Sequence, residues 1–270
     1  MVYFKHVFVV LVYRNIEILR DFFNSFNIPN SKVIIVNAFH DAQTEEDCRI
    51  LANIHNAIFL PIQNIGYGGG NLAGIDYARK NFRYDFLIIS NSDVVIRNFD
   101  GLDLFYNQKV IIAPNVVMRD IQKQNPDTPI ELPFLYYPTY IALNRNKRWL
   151  YRATHIFTRL SREIFFFYAK IVNKEKYRIF SPHGSFVIFT RQAVDEIYPM
   201  FDTRMFLYNE EWYMGKRAKL LGIPIYYFPK IEILHLEGGS STASVMQSFK
   251  YIRDSFNIFY YWNKYENHIR

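Results

Sequence analysis

The sequence predicts an α/β fold, a Rossmann-like, mostly parallel central sheet flanked by helices. Three observations predict it: the first hundred residues alternate short apolar runs with helical patterns, those runs are continuous, and glycines or polar residues follow where runs end. Continuous apolar runs belong to strands covered on both faces, and strand–helix–strand order makes neighbouring strands parallel. Ligands of such sheets sit beyond the strands' carboxyl ends.

In chain order, Val7 to Val12 is the first strand. Asn15 can cap a helix that carries Ile16, Leu19, Phe22, Phe23 and Phe26 at helical spacing. Val33–Val36 is the second strand, and Thr44-Glu45-Glu46-Asp47 starts a helix whose early acids suit the dipole. Ile58–Leu60 is a third strand, followed by a glycine-rich stretch from Asn64 to Asn71 and a helix to about residue 80. Phe86–Ile89 is the fourth strand and runs into Asn91-Ser92-Asp93. The stretch from about 100 to 180 is less regular. Within it Trp149, Ala153, Ile156, Leu160, Ile164, Phe167 and Ile171 recur at steps of three and four, with Arg148, Arg152, Arg159 and Lys170 on one flank. That is a basic amphipathic helix, or two separated by a bend. It either buries its stripe on the domain or lies on a membrane surface. Further on, Phe186–Phe189, Ile225–Phe228 and Ile231–His235 read as strands, Arg191–Ile197 and Glu210–Leu221 as helices, and Val245 to about residue 262 as an amphipathic C-terminal helix.

The 270 residues, half of them hydrophobic, suffice for one sizeable core. Neither repeats nor a linker divide them. The expected domain spans residues 1–242, including the basic helical insertion at about 145–178, with 243–270 packed on it or on a membrane. Cys48 is the only cysteine, which excludes an internal disulfide or a cysteine-based zinc site and fits a reducing compartment. No signal-peptide pattern or run of about 20 apolar residues is visible, so a cytoplasmic location is expected, with peripheral attachment at the inner face of the cell membrane left open. Net charge is 32 − 25 = +7. Residues 145–178 hold ten Lys/Arg against two Glu, a local +8, so the rest of the chain is near neutral. Such a patch implies an anionic partner. No nucleic-acid-binding motif accompanies it, so nucleic acid is not expected.

Four clusters could carry chemistry. Gly66 and its neighbours at a strand–helix junction would let backbone approach a phosphate, or would simply make a tight turn. The loop follows the third strand and lacks Gly-Lys-Ser/Thr, unlike a dinucleotide fingerprint or a P-loop. Asn91-Ser92-Asp93 at a strand end could offer a carboxylate to a metal–diphosphate, or form an Asx-type turn. Glu210 and Glu211 open a helix, where acids are ordinary surface features unless one faces a cleft as a proton acceptor. His235 closes an apolar run and is either structural or a nitrogen ligand for a divalent metal.

Together these clusters resemble the family 2 glycosyltransferases of the GT-A fold, particularly the rhamnosyltransferase-like branch. The stretch Asn64 to Gly74 is similar to the family's Asn-x-Gly-aromatic-Gly-x-x-Asn-x-Gly pattern, and Asn91-Ser92-Asp93 to its metal motif. Gly184-Ser185 resembles its acceptor-side strand. Phe201-Asp202 through Glu210-Glu211 to Arg217 and Gly222, with His235 and the small residues after it, resembles its most specific blocks. The resemblance covers about residues 5–242 and departs from the pattern in three places. Val36-Asn37 stands where the family has Asp-Asn, Glu211 where it has Asp, and Tyr213 where it has a later acid.

The resemblance implies an inverting transfer of a sugar from a nucleotide-diphosphate donor (dTDP-rhamnose or a UDP-sugar) to a saccharide or lipid-linked saccharide acceptor in cell-surface polysaccharide synthesis. It implies Mg2+ or Mn2+ held by Asp93 and His235, with Glu211 as base and Glu210 beside it. Tyr13, Asn37, Asp41, Gly66, Asn71 and Asn91 would shape the nucleotide pocket, and Gly184, Ser185 and Tyr208 would position the acceptor. The departures leave one alternative standing, a non-catalytic nucleotide- or carbohydrate-binding subunit with the same fold.

Overall fold

In the computed structural model, residues 1–14, 16–38, 41–120, 122–236 and 245–266 are described. The expected cap Asn15 and the small residues after Leu236 lie outside them. Strands β1 (Val2–Val12), β2 (Ser31–Ala38), β3 (Ile58–Ile62) and β4 (Phe82–Asn91) alternate with helices α1 (Ile16–Ser25), α2 (Ala42–Ile54) and α3 (Gly66–Asn81). β1 pairs in parallel with both β2 and β4, and β2 with β3. The chain therefore steps outward from β1 to β3, then returns to the far side of β1. That reversal opens a crevice between the carboxyl ends of β1 and β4, where Leu11 and Asn91 are register partners.

The strands are covered on both faces because their side chains alternate. Phe8, Val10 and Val12 join Leu19, Phe22 and Leu51 of α1 and α2, while Val7 and Val9 join Leu72, Ile75 and Ala78 of α3. The remaining strands are β5 (Val94–Asn98), β6 (Ile111–Met118), β7 (Tyr177–Ile179), β8 (Phe186–Thr190) and β9 (Ile225–His235). They extend the sheet to the order β3-β2-β1-β4-β8-β6-β9-β5, with β7 also on β9. The two strands expected around Pro229 are one. β9 stays paired with β6 through a register shift in which Phe228 opposes Pro114 and Glu232 opposes Asn115, since Pro229 has no N–H for a ladder.

Helices α6 (Arg191–Ile197) and α7 (Glu210–Leu220) follow β8. The C-terminal helix α8 (Val245–Tyr261) packs on the body of the protein. Phe256, Phe259 and the following Trp262 are buried with Tyr136 and Leu143 of α4 (Tyr136–Asn144), and with Met205 and Tyr213. The basic segment is one continuous helix, α5 (Arg148–Val172), closed by Asn173 in the left-handed region. Thr154 is its one buried residue. The reading in which this helix buries its apolar stripe is overturned. Trp149, Ile156, Leu160, Ile164, Phe167 and Ile171 all face solvent, while Tyr151, Thr154, Thr158 and Phe165 turn toward the protein.

Candidate active site

Two cavities meet beyond the strand ends. A cleft of about 560 Å3 lies at the β1/β4 crevice, lined by Tyr13, Arg14, Asn64, Gly66, Asn91, Asp93, Gly184, Ser185 and Glu210 among others. A second cavity of about 1050 Å3 lies between α4, α5, α7 and α8. His183, Tyr208 and Glu211 line both.

Asp93 follows β4 and is buried, as is His235 at the end of β9. Residues 142 apart in sequence meet because β5, which begins at Val94, pairs with β9. The His235 Nε2 lies 3.1 Å from Asp93 Oδ1, and its Nδ1 lies 2.7 Å from Gln124 Oε1. An amide oxygen can only accept, so that contact assigns the proton to Nδ1. With Nε2 also protonated, the ring donates to Asp93 Oδ1 and carries charge beside it; with that proton gone, Nε2 presents a lone pair next to a carboxylate. Two acceptors converging on one point fit a divalent cation, completed by phosphate oxygens. Among the described residues no set of three His, Cys, Asp or Glu side chains is placed to hold a metal. Burial works to raise the Asp93 pKa, but hydrogen bonds and charge from His235, with help from its own backbone and Asn91, outweigh it and hold the carboxyl below its ordinary range.

Glu210 and Glu211 open α7 after two consecutive left-handed residues, Tyr208 (φ 73°) and Asn209 (φ 66°). An aromatic residue rarely adopts this conformation, and such strain gathers at functional sites. The kink turns the first helical turn back into the cleft. α8 holds the kinked loop: Ser255 Oγ donates to Leu207 O at 2.9 Å, and Asn209 Nδ2 to Ile252 O at 3.2 Å. Gly66 packs the loop from the other side. Tyr67 N donates to Phe206 O at 2.8 Å, and a β-carbon on Gly66 would stand 2.2 Å from that same oxygen. The positive φ of Gly66 thus serves close approach to this loop.

The two acids differ in environment. Glu210 is buried, its Oε1 has no hydrogen-bond partner, and burial together with the charge of Glu211 pushes its pKa well above the carboxylate range. Glu211 is pushed up to about 7, by burial first and then by the charge of Asp127. Hydrogen bonds from its own backbone and that of Gly184 act in the opposite direction. Asp127 is fixed by Trp212 Nε1 at 3.1 Å and Thr128 Oγ1 at 2.9 Å. The Tyr67 hydroxyl donates to Gly184 O at 2.6 Å, holding the glycine against Glu211.

Of the residues expected from sequence, Tyr13, Gly66, Asn91, Asp93, Gly184, Ser185, Tyr208, Glu210 and Glu211 gather at the cleft, with His235 behind Asp93. Three do not. Asn37 and Asn71 are fully buried, the first inside β2 and the second in the opening turns of α3, where its Nδ2 donates to Tyr67 O. Asp41 caps α2, accepting from Thr44 N at 2.8 Å. Sequence reasoning missed Tyr67, Gln124, Asp127 and His183. Two signals were available: Tyr67 stands at the aromatic position of the Asn64–Gly74 pattern, and His183 adjoins Gly184-Ser185. Burial depresses His183 to about 3, with His235 and Arg162 adding to the effect, and its neutral Nδ1 accepts from Ser185 N at 3.2 Å.

The family model described as glycosyltransferase like family 2 matches residues 9–253. The chain belongs to that family. No curated protein matches it. Solved structures share its fold: a GalNAc-T7 with UDP, GalNAc and Mn2+, at 11% identity and TM-score 0.58, covering 99% of this chain and 51% of the other. Staphylococcus aureus TarS aligns at 12% identity and TM-score 0.54, covering 86% of this chain and 36% of its own. The chain thus spans about half or less of the length of these neighbours. As a family 2 glycosyltransferase it has the GT-A fold, and the expected fold class stands.

Proposed function

We propose that this glycosyltransferase is an inverting, metal-dependent enzyme that transfers a sugar from a nucleotide-diphosphate donor to a saccharide or lipid-linked saccharide acceptor. One observation carries the reading: Glu211, poised near neutrality, sits where the cleft holding Asp93 opens into the larger cavity. A base on this boundary can face a donor from one side and an acceptor from the other. The donor diphosphate would occupy the β1/β4 crevice, with the nucleoside against Tyr13, whose ring Arg14 overlies at 5.0 Å.

Asp93 and His235 fit Mg2+ or Mn2+, and a cation held there would supply positive charge for the departing diphosphate. The solved GalNAc-T7 was bound to UDP and Mn2+, which supports a similar donor chemistry here. The chain's own residues would do the rest. Tyr208 and the wall of the larger cavity orient the acceptor. Deprotonated Glu211 takes the acceptor proton as its oxygen bonds to the anomeric carbon, and the bond to the diphosphate breaks, the electron pair leaving with it. Such bases contribute about 10²–10⁴-fold. Glu210, whose burial and neighbouring Glu211 disfavour its charged form, positions rather than abstracts. dTDP-rhamnose and UDP-sugars are the donors to try first.

The deciding experiment is a panel of nucleotide sugars screened for hydrolysis with and without Mn2+ or Mg2+, then for transfer to saccharide and lipid-linked acceptors. Metal-dependent turnover of one donor is expected. Tight nucleotide binding without turnover of any donor would instead make the chain a binding subunit.

A further inference from the structure

The face of α5 that looks away from both cavities carries an unpartnered apolar stripe. Its six large side chains, from Trp149 to Ile171, are between 52% and 69% exposed. At about 100° per residue they fall within some 40° to either side of Leu160. The stripe runs on into an apolar groove of about 610 Å3, where Phe157 and Leu160 meet Ile130 and Phe134 of the preceding segment. Phe134 is itself 62% exposed and packs edge-on against Phe157 at 6.1 Å. Soluble proteins seldom leave so long a contiguous apolar strip open to water.

Charge identifies what covers it. Arg148, Arg152 and Lys170 lie along one side of the stripe, and Lys174, Lys176 and Arg178 rim the groove or follow it. Residues 145–178 carry +8, so a second copy of the same face would bring like charges together. An anionic partner that also accepts a long apolar stripe, over a helix of 25 residues, has the chemistry of a lipid surface. Lying on the surface is the geometry required, because no described helix is long and apolar enough to cross a membrane.

We propose that α5 docks this protein on anionic lipid bilayers, its stripe in the headgroup–acyl boundary and its basic flank on the lipid phosphates. This inference stands on the helix face alone and does not depend on the transferase reading. It also deepens that reading. The inner side of the same helix, at Thr158 and Arg162, lines the cavity that Glu211 enters, so docking would hold that cavity close to the bilayer, suiting an acceptor anchored by a lipid.

The test is cosedimentation of the full chain with vesicles of phosphatidylcholine alone or mixed equally with phosphatidylglycerol. It is repeated for R148E/R152E/K170E and for I156S/I164S/F167S, with circular dichroism and melting to confirm folding. Binding to the mixed vesicles is expected to exceed binding to neutral ones by about tenfold or more, and the charge variant should lose that difference. The stripe variant should lose binding to both, and the Trp149 emission should shift to the blue on binding, a shift absent in W149F. Equal binding to both vesicles, no binding, or binding that survives both variants overturns the proposal. So does a dimer in light scattering that the stripe variant abolishes without any vesicle binding. Nucleotide-sugar hydrolysis, measured without lipid, reports separately on the active site.

Discussion

A β-carbon on Gly184 would stand 2.5 Å from Glu211 Oε1, so the absence of a side chain at 184 is what lets this carboxylate reach the cleft. The clash is with the tip of a flexible side chain, and the same β-carbon would stand 3.1 Å from the Tyr67 hydroxyl, which donates to the glycine's carbonyl.

Gly184→Ala is therefore expected to separate activity from stability. The added methyl displaces the Glu211 carboxylate, and a displacement of an ångström can cost on the order of 100-fold in rate. Melting should change by no more than a few degrees, because no backbone atom must move. Steady-state kinetics beside a melting curve check this, and a rate within twofold of wild type would remove Glu211 from the role of base.

Glu211 also predicts two pH effects of opposite sense. As a base it works deprotonated, so transfer should rise with pH through about 7 and then level off. Asp127→Asn removes a charge that raises this pKa, and should move the rising limb to lower pH. Stability runs the other way. The folded-state pKa of about 7 lies above the ordinary 4.5, so between those values the folded chain keeps a proton the unfolded chain has lost. Glu211 therefore destabilises the fold increasingly as pH rises over that interval. Glu211→Gln should abolish transfer yet raise the melting temperature at pH 8 and leave it nearly unchanged at pH 4. Melting curves at both values decide it.

The parallel half of the fold was legible because its signals are local: the apolar run at Val7–Val12, the helical spacing of Phe22 and Phe23, and the glycines packed against β1. Strands β5, β6 and β7 were not. Their pairing is with β9, far away in sequence; β5 and β7 are short, and Pro114 interrupts the pattern that would have announced β6. The site divides in the same way. Glu211 and Asp93 sit in recognisable motifs, whereas Gln124 and Asp127 act through long-range contacts to His235 and Trp212 from a stretch with no periodicity. Asn37, Asp41 and Asn71 show the converse. Each matches or neighbours a motif position, yet the side chain lies elsewhere: Asn37 is buried near the end of β2, Asp41 caps a helix, and Asn71 bonds to the carbonyl of Tyr67. A motif fixes where a residue falls in the chain, and tertiary packing decides which way it faces.

Asp93 and His235 predict a linked loss of metal and donor. With UDP or dTDP at a hundredfold excess over Kd, a ligand specific for the folded state stabilises by about 2.7 kcal/mol. This shift in melting should need Mn2+ or Mg2+, and should disappear with a chelator. Asp93→Ala should remove it at the same ligand concentrations. Gln124→Leu should weaken it less, because the Nδ1 partner that sets the His235 tautomer is lost while both proposed ligands remain. Unchanged metal-dependent stabilisation in Asp93→Ala would place the metal elsewhere.

Tyr208 predicts a separation of acceptor binding from everything else. Its φ of 73° is a conformation that glycine adopts without steric cost, so Tyr208→Gly relieves strain while losing backbone entropy, and the two effects oppose at about 1 kcal/mol each. The helix start at Glu210 should survive, as Gly66 and α8 still brace the loop. What disappears is a ring that lines both cavities. Donor hydrolysis without acceptor and metal-dependent nucleotide binding should then stay near wild type, while the acceptor KM rises about tenfold or more, the scale of losing a stacked aromatic contact. Initial rates at varied acceptor concentration measure it. A fall in donor binding with an unchanged acceptor KM would put Tyr208 on the nucleotide side of Glu211.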